Sequence, residues 1–414
     1  MSQTITVLDA GTTRVTCFIA TRDATGAPEI TGIGHEEAAG MRRGAIVDMD
    51  AAASAMRRAV HRAETMAGVR VDTVIAGLSG NDVTSAYADA AIDVGGHPID
   101  DDDIQHAFDA AGLDNAAPGR GLVHAIPTAF VLDGASGIRD PRGMQGERLA
   151  VHLHLVSVAD SGLRNLISCI NSCDLEVAAP VNTAYASGLA CLVEDEMDLG
   201  VTLIDLGGGT TDIATFAGGE LVWCGSVPIG AMHVTNDIAK GLSTPVVSAE
   251  RMKRFFANAV GGAPGDREMI EVPLLGENDP AAARQVPRSL LAGIVRPRLE
   301  ETFELVRDVL DRSGTAALAG RRVVLTGGGS QLSGIADLAG QVLDKQVRLA
   351  RPLPLPGLAE AAAGPDCAAA AGLLVYATTK HSAPAGRSLD RRAPPPWMAG
   401  NALGRIGQWL RDNF

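Results

Sequence analysis

Two short segments far apart in the chain combine carboxylates, glycines and threonines in the same order. The first is Asp9-Ala10-Gly11-Thr12-Thr13-Arg14, and the second is Asp205-Leu206-Gly207-Gly208-Gly209-Thr210-Thr211-Asp212. Glycines let backbone N–H groups approach an anion closely, because no Cβ is in the way. A carboxylate at a strand end can hold a magnesium ion through water. Each segment therefore predicts a phosphate-binding turn, with a plain β-hairpin as the alternative for either one alone. Arg14 is a candidate for a further phosphate contact, with an exposed arginine at a strand end as the alternative.

A third glycine segment, Gly327-Gly328-Gly329, separates an apolar run from a helix that we predict over Gly334–Leu343. The N-terminus of a helix favours anions. Backbone without side chains also leaves room for a flat base. This segment is therefore a candidate for the nucleoside end of the same ligand.

The elements around the two Asp–Gly turns are predicted from hydrophobic periodicity. Ile5–Leu8 and Val15–Ala20 flank the first turn as strands, and Val201–Ile204 and Ile213–Phe216 flank the second. The repetition predicts two related α/β halves, each offering a phosphate turn to one nucleotide.

The pattern changes between residues 83 and 160, where it indicates a small inserted subdomain. The predicted order is strand, helix, strand, strand, over Ser85–Val94, Asp100–Ala111, Leu122–Leu132 and Arg148–Val158. His152 and His154 alternate on the last strand. Ordinary strand histidines are the favoured interpretation, and a shared metal is the alternative.

Composition excludes several classes of protein. The chain has 414 residues, 46% of them hydrophobic and 20% charged, which is typical of an ordered globular protein with several domains. A net charge of −14 argues against nonspecific nucleic-acid binding, since phosphates would be repelled. The six cysteines form no C-x-x-C pair and are predicted to be buried thiols of a reducing compartment. We expect no secretory signal and no membrane-spanning segment.

The composition changes again over residues 381–414. Residues 381–398 are rich in Pro, Arg, Ser and Ala, which predicts an extended linker without a core. Residues 399–414 then form a predicted short amphipathic helix with flanking Arg405 and Arg411. Its apolar face is predicted to lie in a membrane interface, the alternative being packing on the body or on a partner. That face consists of Leu403, Ile406, Trp409, Leu410 and Phe414.

Taken together, the three glycine segments resemble the phosphate-1, phosphate-2 and adenosine motifs of the actin-like ATPase superfamily. Within it, the chain is similar to the bacterial cell-division family FtsA over nearly its full length. The phrases that carry this likeness are Leu122–Pro127, Pro141–Met144, Gly200–Ala214, Val234–Leu242 and Trp409–Phe414. The inserted block is similar to the extra 1C subdomain of that family.

The resemblance implies an α/β fold of the actin-like kind: two RNase-H-like lobes, an inserted 1C-type subdomain and a C-terminal amphipathic helix. The implied first lobe is subdomain 1A, and the implied second lobe consists of subdomains 2A and 2B. The expected boundaries are 1–82 and 161–197 for 1A, 83–160 for 1C, 198–228 and 298–380 for 2A, 229–297 for 2B, 381–398 for the linker and 399–414 for the helix.

The resemblance also implies ATP and Mg²⁺ in the cleft between the lobes. Asp9 and Asp205 would hold magnesium through water. The phosphates would be wrapped by Gly11, Thr12, Thr13, Gly207, Gly208, Gly209, Thr210 and Thr211. Glu250 and Lys253, on a helix predicted over Ser248–Val260, would face the ribose and adenine, with an ordinary surface ion pair as the alternative. Gly327, Gly328 and Gly329 would back the nucleoside.

The implied partners are those of a membrane tether. The family polymerises into protofilaments and binds the C-terminal peptide of FtsZ through subdomain 2B. It acts at the cytoplasmic face of the inner membrane at the division site, and later divisome proteins would meet the 1C insert. Arg288, Arg296 and Arg298 are the candidate peptide contacts here, with ordinary solvated charges as the alternative.

One departure from the superfamily bears on mechanism. The linking helix after the first half often supplies a Gln, Asp or Glu that orients water or a hydroxyl, and residues 178–190 contain none of these. General-base help requires such a group. The sequence therefore predicts tight nucleotide binding with slow hydrolysis, so that the chain is at most a slow Mg-dependent ATPase. The alternatives are a sugar or small-metabolite kinase and a pilus-assembly ATP-binding protein of the same fold.

Overall fold

A computed structural model gives the fold of this protein. It describes residues 4–380 apart from 23–27, 81, 112–116, 262–264, 266 and 278–282. The predicted linker (381–398) and amphipathic helix (399–414), with Leu403, Ile406, Trp409, Leu410 and Phe414, lie outside the described residues.

The described ranges alternate strands and helices along their length. The strands are β1 (Thr4–Ala10), β2 (Arg14–Arg22), β3 (Pro28–Glu37), β4 (Met41–Arg42), β5 (Ala45–Ile46), β6 (Thr73–Leu78), β7 (Thr84–Asp93), β8 (Arg120–Leu132), β9 (Ala135–Ile138), β10 (Arg148–Ala159), β11 (Glu176–Asn182), β12 (Val201–Leu206), β13 (Thr211–Ala217), β14 (Glu220–Val227), β15 (Met269–Val272), β16 (Arg284–Pro287), β17 (Arg322–Thr326) and β18 (Gln346–Leu349). The α-helices are α1 (Met49–Ala67), α2 (Asp101–Ala110), α3 (Asp160–Asn171), α4 (Thr183–Cys191), α5 (Glu194–Leu199), α6 (Ala231–Leu242), α7 (Val246–Phe256), α8 (Arg288–Ser313), α9 (Ile335–Leu343) and α10 (Ala368–Lys380).

Two five-stranded sheets of the same topology form the two lobes, as the repeated turns predicted. The first lobe has the order β3-β2-β1-β6-β11 and the second β14-β13-β12-β17-β18. In each sheet the first three strands along the chain are antiparallel, and the last two are added in parallel. This equivalence places the turn after Asp9 and the turn after Asp205 at corresponding edges of their sheets.

Apolar side chains cover both faces of these sheets, which is why the central strands are apolar runs and not alternating patterns. Every residue of β12 is buried. One core lies between the sheets and unites residues of both lobes, including Phe18, Leu203, Phe216 and Leu373. Helices α1 and α3 cover the outer face of the first sheet, and α6, α8 and α9 cover that of the second. All six cysteines are buried and free, as predicted.

Residues 84–159 fold as a separate unit with its own core, as the change of pattern predicted. Its sheet has the order β7-β10-β8-β9, and α2 packs on one face. The side chain of Asp100 accepts hydrogen bonds from the backbone N–H groups of Asp102 and Asp103, so the acidic start of α2 is a helix cap. The short strand β9 was not predicted.

Several other sequence predictions need correction. Strand β3 was not predicted. Strand β11, which runs to Asn182, was not predicted, so residues 178–182 do not belong to the linking helix. The helix predicted over Asn182–Leu192 is confirmed as α4. Parallel pairing of β11 with β6 fixes this boundary, and such a long-range pairing leaves no local pattern. Helix α7 ends at Phe256 instead of Val260, because Asn258 bridges to Ser333.

Helices α4 and α10 cross closely within the core between the lobes. A Cβ built on Gly372 of α10 would lie only 1.7 Å from the carbonyl oxygen of Ala186 on α4. Both helices consist mainly of small residues. Their backbones therefore approach to a distance that no side chain at position 372 would allow.

We predict that Gly372→Ala destabilises the protein by about 1–3 kcal/mol, the usual cost of overpacking a core. The measurement is the free energy of unfolding from urea denaturation. The matched control is Gly293→Ala on α8, where an added Cβ meets nothing within 4 Å. That change should be neutral or stabilising, because alanine is the better helix former. Equal effects of the two substitutions would contradict this account of the α4–α10 crossing.

Candidate functional site

The two Asp–Gly turns face each other across the lobes. A Cβ built on Gly208 would lie 2.4 Å from Cγ2 of Thr13, and one built on Gly209 would lie 2.5 Å from Oγ1 of Thr12. The backbone N–H of Gly44 donates to Oγ1 of Thr12 (3.0 Å) and fixes the first turn. The turns that were predicted to share one ligand are thus neighbours.

Asp9 and Asp205 lie one residue before the ends of the central strands β1 and β12, behind these turns, and the charge of Asp9 adds to the upward shift in the pKa of Asp205. Asp9 keeps part of its surface exposed, yet its carboxyl lies deep enough that burial, with the nearby charge of Asp212, raises its pKa to about 7. Burial likewise raises the pKa of Asp205 to about 7, although Oγ of Ser187 donates to Oδ2 of Asp205 at 2.6 Å and opposes the shift. Mutually repelling carboxylates suit a bound cation.

The donor set fits a hydrated magnesium ion better than a directly ligated metal. Among the described residues, no group of three or more His, Cys, Asp or Glu side chains could hold a metal ion. Mg²⁺ keeps several waters and commonly takes only one or two carboxylates plus phosphate oxygens. Asp9 and Asp205 are therefore the residues that would hold it. His152 lies 2.5 Å from Asp89 and His154 is buried against Leu221, so both are ordinary strand histidines.

The third glycine turn contacts the second. Strands β12 and β17 are parallel neighbours, with Asp205 opposite Thr326. Gly327 follows directly with φ +85°, and a Cβ there would lie 2.2 Å from Oδ1 of Asp205. Gly329 packs in the same way against Leu206. The turn at 327–329 therefore shares the cleft edge with the Asp205 carboxylate.

Glu250 and Lys253 form a half-buried network behind the second turn. Nζ of Lys253 lies 2.7 Å from Oε2 of Glu250 and donates to Oγ1 of Thr235 (2.9 Å) and to the carbonyl of Ala231 (3.2 Å). Burial lowers the pKa of Lys253. In Glu250 burial raises the pKa, but hydrogen bonds from Lys253 and Thr235 outweigh it and the net shift is downward.

The start of α6 joins this network to the phosphate turn. The backbone N–H of Ala231 donates to the carbonyl of Gly207 (2.9 Å), and that of Met232 donates to the carbonyl of Gly208 (2.8 Å). The pair Glu250–Lys253 is therefore more than a surface ion pair. It holds the first turns of α6, the helix whose N-terminus is hydrogen-bonded to Gly207 and Gly208.

Sequence reasoning missed two side chains at this site, Thr183 and Ser187 of α4, both of which are buried. Asp212, which the sequence placed in the second segment, is buried as well, and its internal hydrogen bonds were not predicted. Thr183 and Ser187 belong to a run of small residues with no motif of its own. Arg14, a candidate phosphate contact, instead pairs with Asp366 and lies 3.6 Å from Sγ of Cys367. Helical spacing between Thr183 and Ser187 was the available signal, since residues four apart share a helix face.

The three arginines proposed for a peptide do not share one surface. Arg288 donates to the carbonyl of Phe256 (3.1 Å) and pairs with Glu268, and Arg296 pairs with Glu300 at 2.7 Å. Arg298 lies toward α6, where it pairs with Asp237 and Glu301.

Exposed apolar side chains are concentrated from α7 to the start of α8, close to Arg288. Six of them lie within residues 246–290, with exposed fractions of 42–83%: Val246, Val247, Phe255, Met269, Leu275 and Leu290. Exposed apolar surface of this kind commonly marks an interaction site. Across the described ranges, no helix combines the length and apolar character needed to cross a membrane.

We predict that Gly327→Ala weakens binding of Mg–ATP, the ligand that the sequence predicts, by at least about tenfold, the equivalent of 1.4 kcal/mol. The added Cβ must displace the Asp205 carboxylate. Equilibrium titration with a fluorescent ATP analogue measures the affinity. Gly276→Ala is a φ-matched control, because Gly276 has φ +83° and its Cβ would meet nothing within 4 Å. If both variants bind like the unchanged chain, the turn at 327–329 is not part of the nucleotide site.

Comparison with known proteins relates this arrangement to two family descriptions. The family model "Cell division protein FtsA" matches residues 202–372, and the model "SHS2 domain inserted in FTSA" matches residues 80–157. The proteins called cell division protein FtsA in three bacteria align along nearly their whole length. Identity is 41% in Rhizobium meliloti (100% of this chain, 95% of the relative), 34% in Pseudomonas aeruginosa (98% and 97%) and 30% in Escherichia coli K12 (98% and 97%).

Solved structures share the fold at low sequence identity. A structure of the PilM–PilN type IV pilus biogenesis complex matches with a TM-score of 0.63 and 16% identity, over 90% of this chain and 98% of that one. Spiroplasma citri MreB5 bound to ADP matches with a TM-score of 0.56 and 14% identity, over 91% and 97%. A second MreB5 structure, bound to AMPPNP, has the same score and identity, over 91% and 96%. These likenesses confirm the predicted actin-like fold.

Proposed function

The chain belongs to the FtsA family of bacterial cell-division proteins, and from that premise we propose that it is an ATP-dependent membrane tether for FtsZ filaments. In this proposal it binds ATP and Mg²⁺ between its lobes and polymerises at the cytoplasmic face of the inner membrane. There it holds FtsZ and helps to recruit later divisome proteins through the insert. Because the chain belongs to this family, we prefer this function to the two alternatives, a small-metabolite kinase and a pilus-assembly protein.

The convergence of three glycine turns on two carboxylates carries the nucleotide part of the proposal. Backbone N–H groups of the turns at 11–13 and 207–209 would hold the phosphates. The turn at 327–329 and the pair Glu250–Lys253 would lie against the nucleoside. MreB5 has the same fold and was solved with ADP and with AMPPNP, which supports a nucleotide here.

Magnesium would add charge neutralisation between the phosphates and the protein. Asp9 and Asp205 would hold it through water, and the hydrogen bond from Ser187 orients the second carboxylate. The ion would offset the burial, and the smaller repulsion from neighbouring carboxylates, that raise both pKa values. Nucleotide affinity is therefore expected to depend on magnesium.

Slow hydrolysis is proposed from the composition of α4. This helix faces the cleft with Thr183 and Ser187, both engaged with aspartates, and its sequence holds no Gln, Asp or Glu. Nothing on it orients water as a general base would. ATP then acts mainly as a conformational and polymerisation switch.

The tail would supply the membrane contact. As a helix, residues 399–414 would place Leu403, Ile406, Trp409, Leu410 and Phe414 on one face. Gly404 and Gly407 weaken a free helix, so the segment would fold on contact with lipid. The linker at 381–398 would give it reach.

The region around 229–297 is the proposed contact for the C-terminal peptide of FtsZ. The support is its exposed apolar side chains together with Arg288 and Arg296, which donate to the carbonyls of Phe256 and Val260. Arg298, the third proposed contact, lies on the α6 side of the same helix. Because each arginine already has a partner carboxylate, an acidic peptide would compete with Glu268, Glu300, and the pair Asp237 and Glu301. Such exchange favours a reversible contact.

We predict that the full chain carries FtsZ into the pellet when it is sedimented with anionic vesicles. Trp409→Glu should leave both proteins in the supernatant, because it puts a charge on the lipid-facing side. Gln408→Glu is the matched control on the polar face and should behave like the unchanged chain. A chain lacking 381–414 that still pelleted with vesicles would rule out the tether.

The same assay separates the two contacts. Reversal of charge at Arg296 and Arg298 (both to Glu) should leave vesicle binding intact while FtsZ stays in the supernatant. Arg312→Glu, an exposed charge further along α8, is the control. If FtsZ still pellets fully with the double variant, Arg296 and Arg298 do not contact the FtsZ peptide. The proposed membrane contact would be unaffected by that result.

A further inference from the structure

The carboxylate of Asp212 accepts its hydrogen bonds from donors inside the protein. Oδ1 accepts from Oγ of Ser226 (2.6 Å), and Oδ2 accepts from Oγ1 of Thr210 (3.1 Å) and Oγ1 of Thr183 (3.5 Å). The backbone N–H of Gly80 also donates to it. An ionised carboxylate accepts about four hydrogen bonds. Thr183 has one hydroxyl proton, which it shares between Asp212 and the carbonyl of Leu78 (3.4 Å), so Asp212 has three donors of its own and part of a fourth.

These four donors come from four separate segments. Thr210 belongs to the phosphate turn of the second lobe, and Ser226 to β14 beside it. Thr183 opens α4, and Gly80 ends the segment that leads from β6 into the insert. One buried side chain thus ties both lobes and the entrance of the insert together.

The insert holds β14 through its own hydrogen bonds. Nδ1 of His154 lies 3.0 Å from the carbonyl of Leu221, and Nε2 lies 2.9 Å from Oγ of Ser85. Burial lowers the pKa of His154 to about 4, so the ring is neutral at physiological pH. A carbonyl only accepts, so Nδ1 donates to Leu221 and Nε2 is left as an acceptor. The carbonyl of Cys224 also lies 2.9 Å from Oγ of Ser85, so Nε2 and this carbonyl share the one Ser85 hydroxyl proton. Oγ of Ser85 in turn accepts from the N–H of Cys224 (2.9 Å).

This contact lies two residues from Ser226 on the same strand. Cys224 pairs with Ala214 and Ser226 pairs with Asp212 in the β13–β14 ladder. The hydroxyl of Tyr87 adds a bond to the carbonyl of Val222 (2.6 Å). A displacement of β7 and β10 therefore moves the donor that holds Asp212.

A second connection runs through the start of α4. His124 of β8 is fully buried, and its Nε2 accepts from the backbone N–H of Asn182 (3.0 Å). Asn182 caps α4 by accepting from the N–H of Tyr185 (3.0 Å). Thr183, the next residue, is a donor to Asp212. Both connections from the insert end on the same carboxylate.

We infer that Asp212 is a positioning residue through which the inserted subdomain sets the geometry of the hairpin at 205–212. The inference rests on the proposed function only in taking that hairpin to bind phosphate. Coupling between two sites is reciprocal. A partner bound to the insert would therefore change nucleotide affinity by the factor by which nucleotide changes affinity for that partner.

Native-state hydrogen exchange on the full chain, without nucleotide, tests the coupling. Ser85→Ala in the insert should speed exchange of the β13 amides by at least on the order of tenfold, because it removes every hydrogen bond that Oγ makes with His154 and Cys224. Ser85→Thr keeps the hydroxyl and should restore the native rates. Ser136→Ala, exposed on β9 of the same insert, is the matched control.

Combining Ser85→Ala with Ser226→Ala gives the most direct test of the coupling. Ser226→Ala cuts the connection at the cleft, so adding Ser85→Ala should speed exchange of β13 no further. If Ser85→Ala does not fold, Tyr87→Phe takes its place, since its ring is exposed and only the hydroxyl bond is lost. Faster exchange confined to the insert and β14, or additive effects in the double variant, overturns the inference. Because no nucleotide is present, failure of ATP binding leaves this result intact.

Discussion

Three carboxyl groups, those of Asp9, Asp205 and Asp212, lie buried in the cleft between the two lobes, and the cost of burying them together governs its design. Burial raises the pKa of Asp9 and of Asp205, the charge of Asp212 adds to both shifts, and the charge of Asp9 adds to that of Asp205. Buried like charges cost free energy unless donors or a cation offset them. Asp212 has internal donors, whereas Asp9 and Asp205 suit a hydrated cation and its phosphates. Asp212 is therefore a structural residue of the cleft, whereas Asp9 and Asp205 are the residues that would respond to a ligand.

That division depends on a rigid frame between the lobes. Strands β1 and β12 carry the two aspartates, and the core between their sheets is continuous from one lobe to the other. The crossing of α4 and α10 within it is close enough to exclude any side chain at Gly372. Since α4 supplies donors to both Asp205 and Asp212, a shift of this helix alters both carboxylates together.

The sequence predicted the repeated features and missed the nonlocal ones. The Asp–Gly–Thr turns at 9–13 and 205–211 were recognisable because their chemistry is local and occurs twice. The periodicity of β7, α2, β8 and β10 predicted the insert. By contrast, the end of β11 depends on pairing with a distant strand, and the bond from Ser187 to Asp205 crosses from one lobe to the other. Arg14 was a candidate for phosphate, but a carboxylate from residue 366 lies beside it in space.

The central claim is that ATP binding in the cleft acts mainly as a conformational and polymerisation switch, and that hydrolysis is secondary. Measuring ATP affinity and the rate of hydrolysis on one sample tests it. We expect saturable binding of Mg–ATP that weakens when magnesium is removed. We also expect steady-state hydrolysis below about one turnover per second, the low end of ordinary enzymes. Turnover well above that rate, or absence of magnesium-dependent binding, would contradict the account.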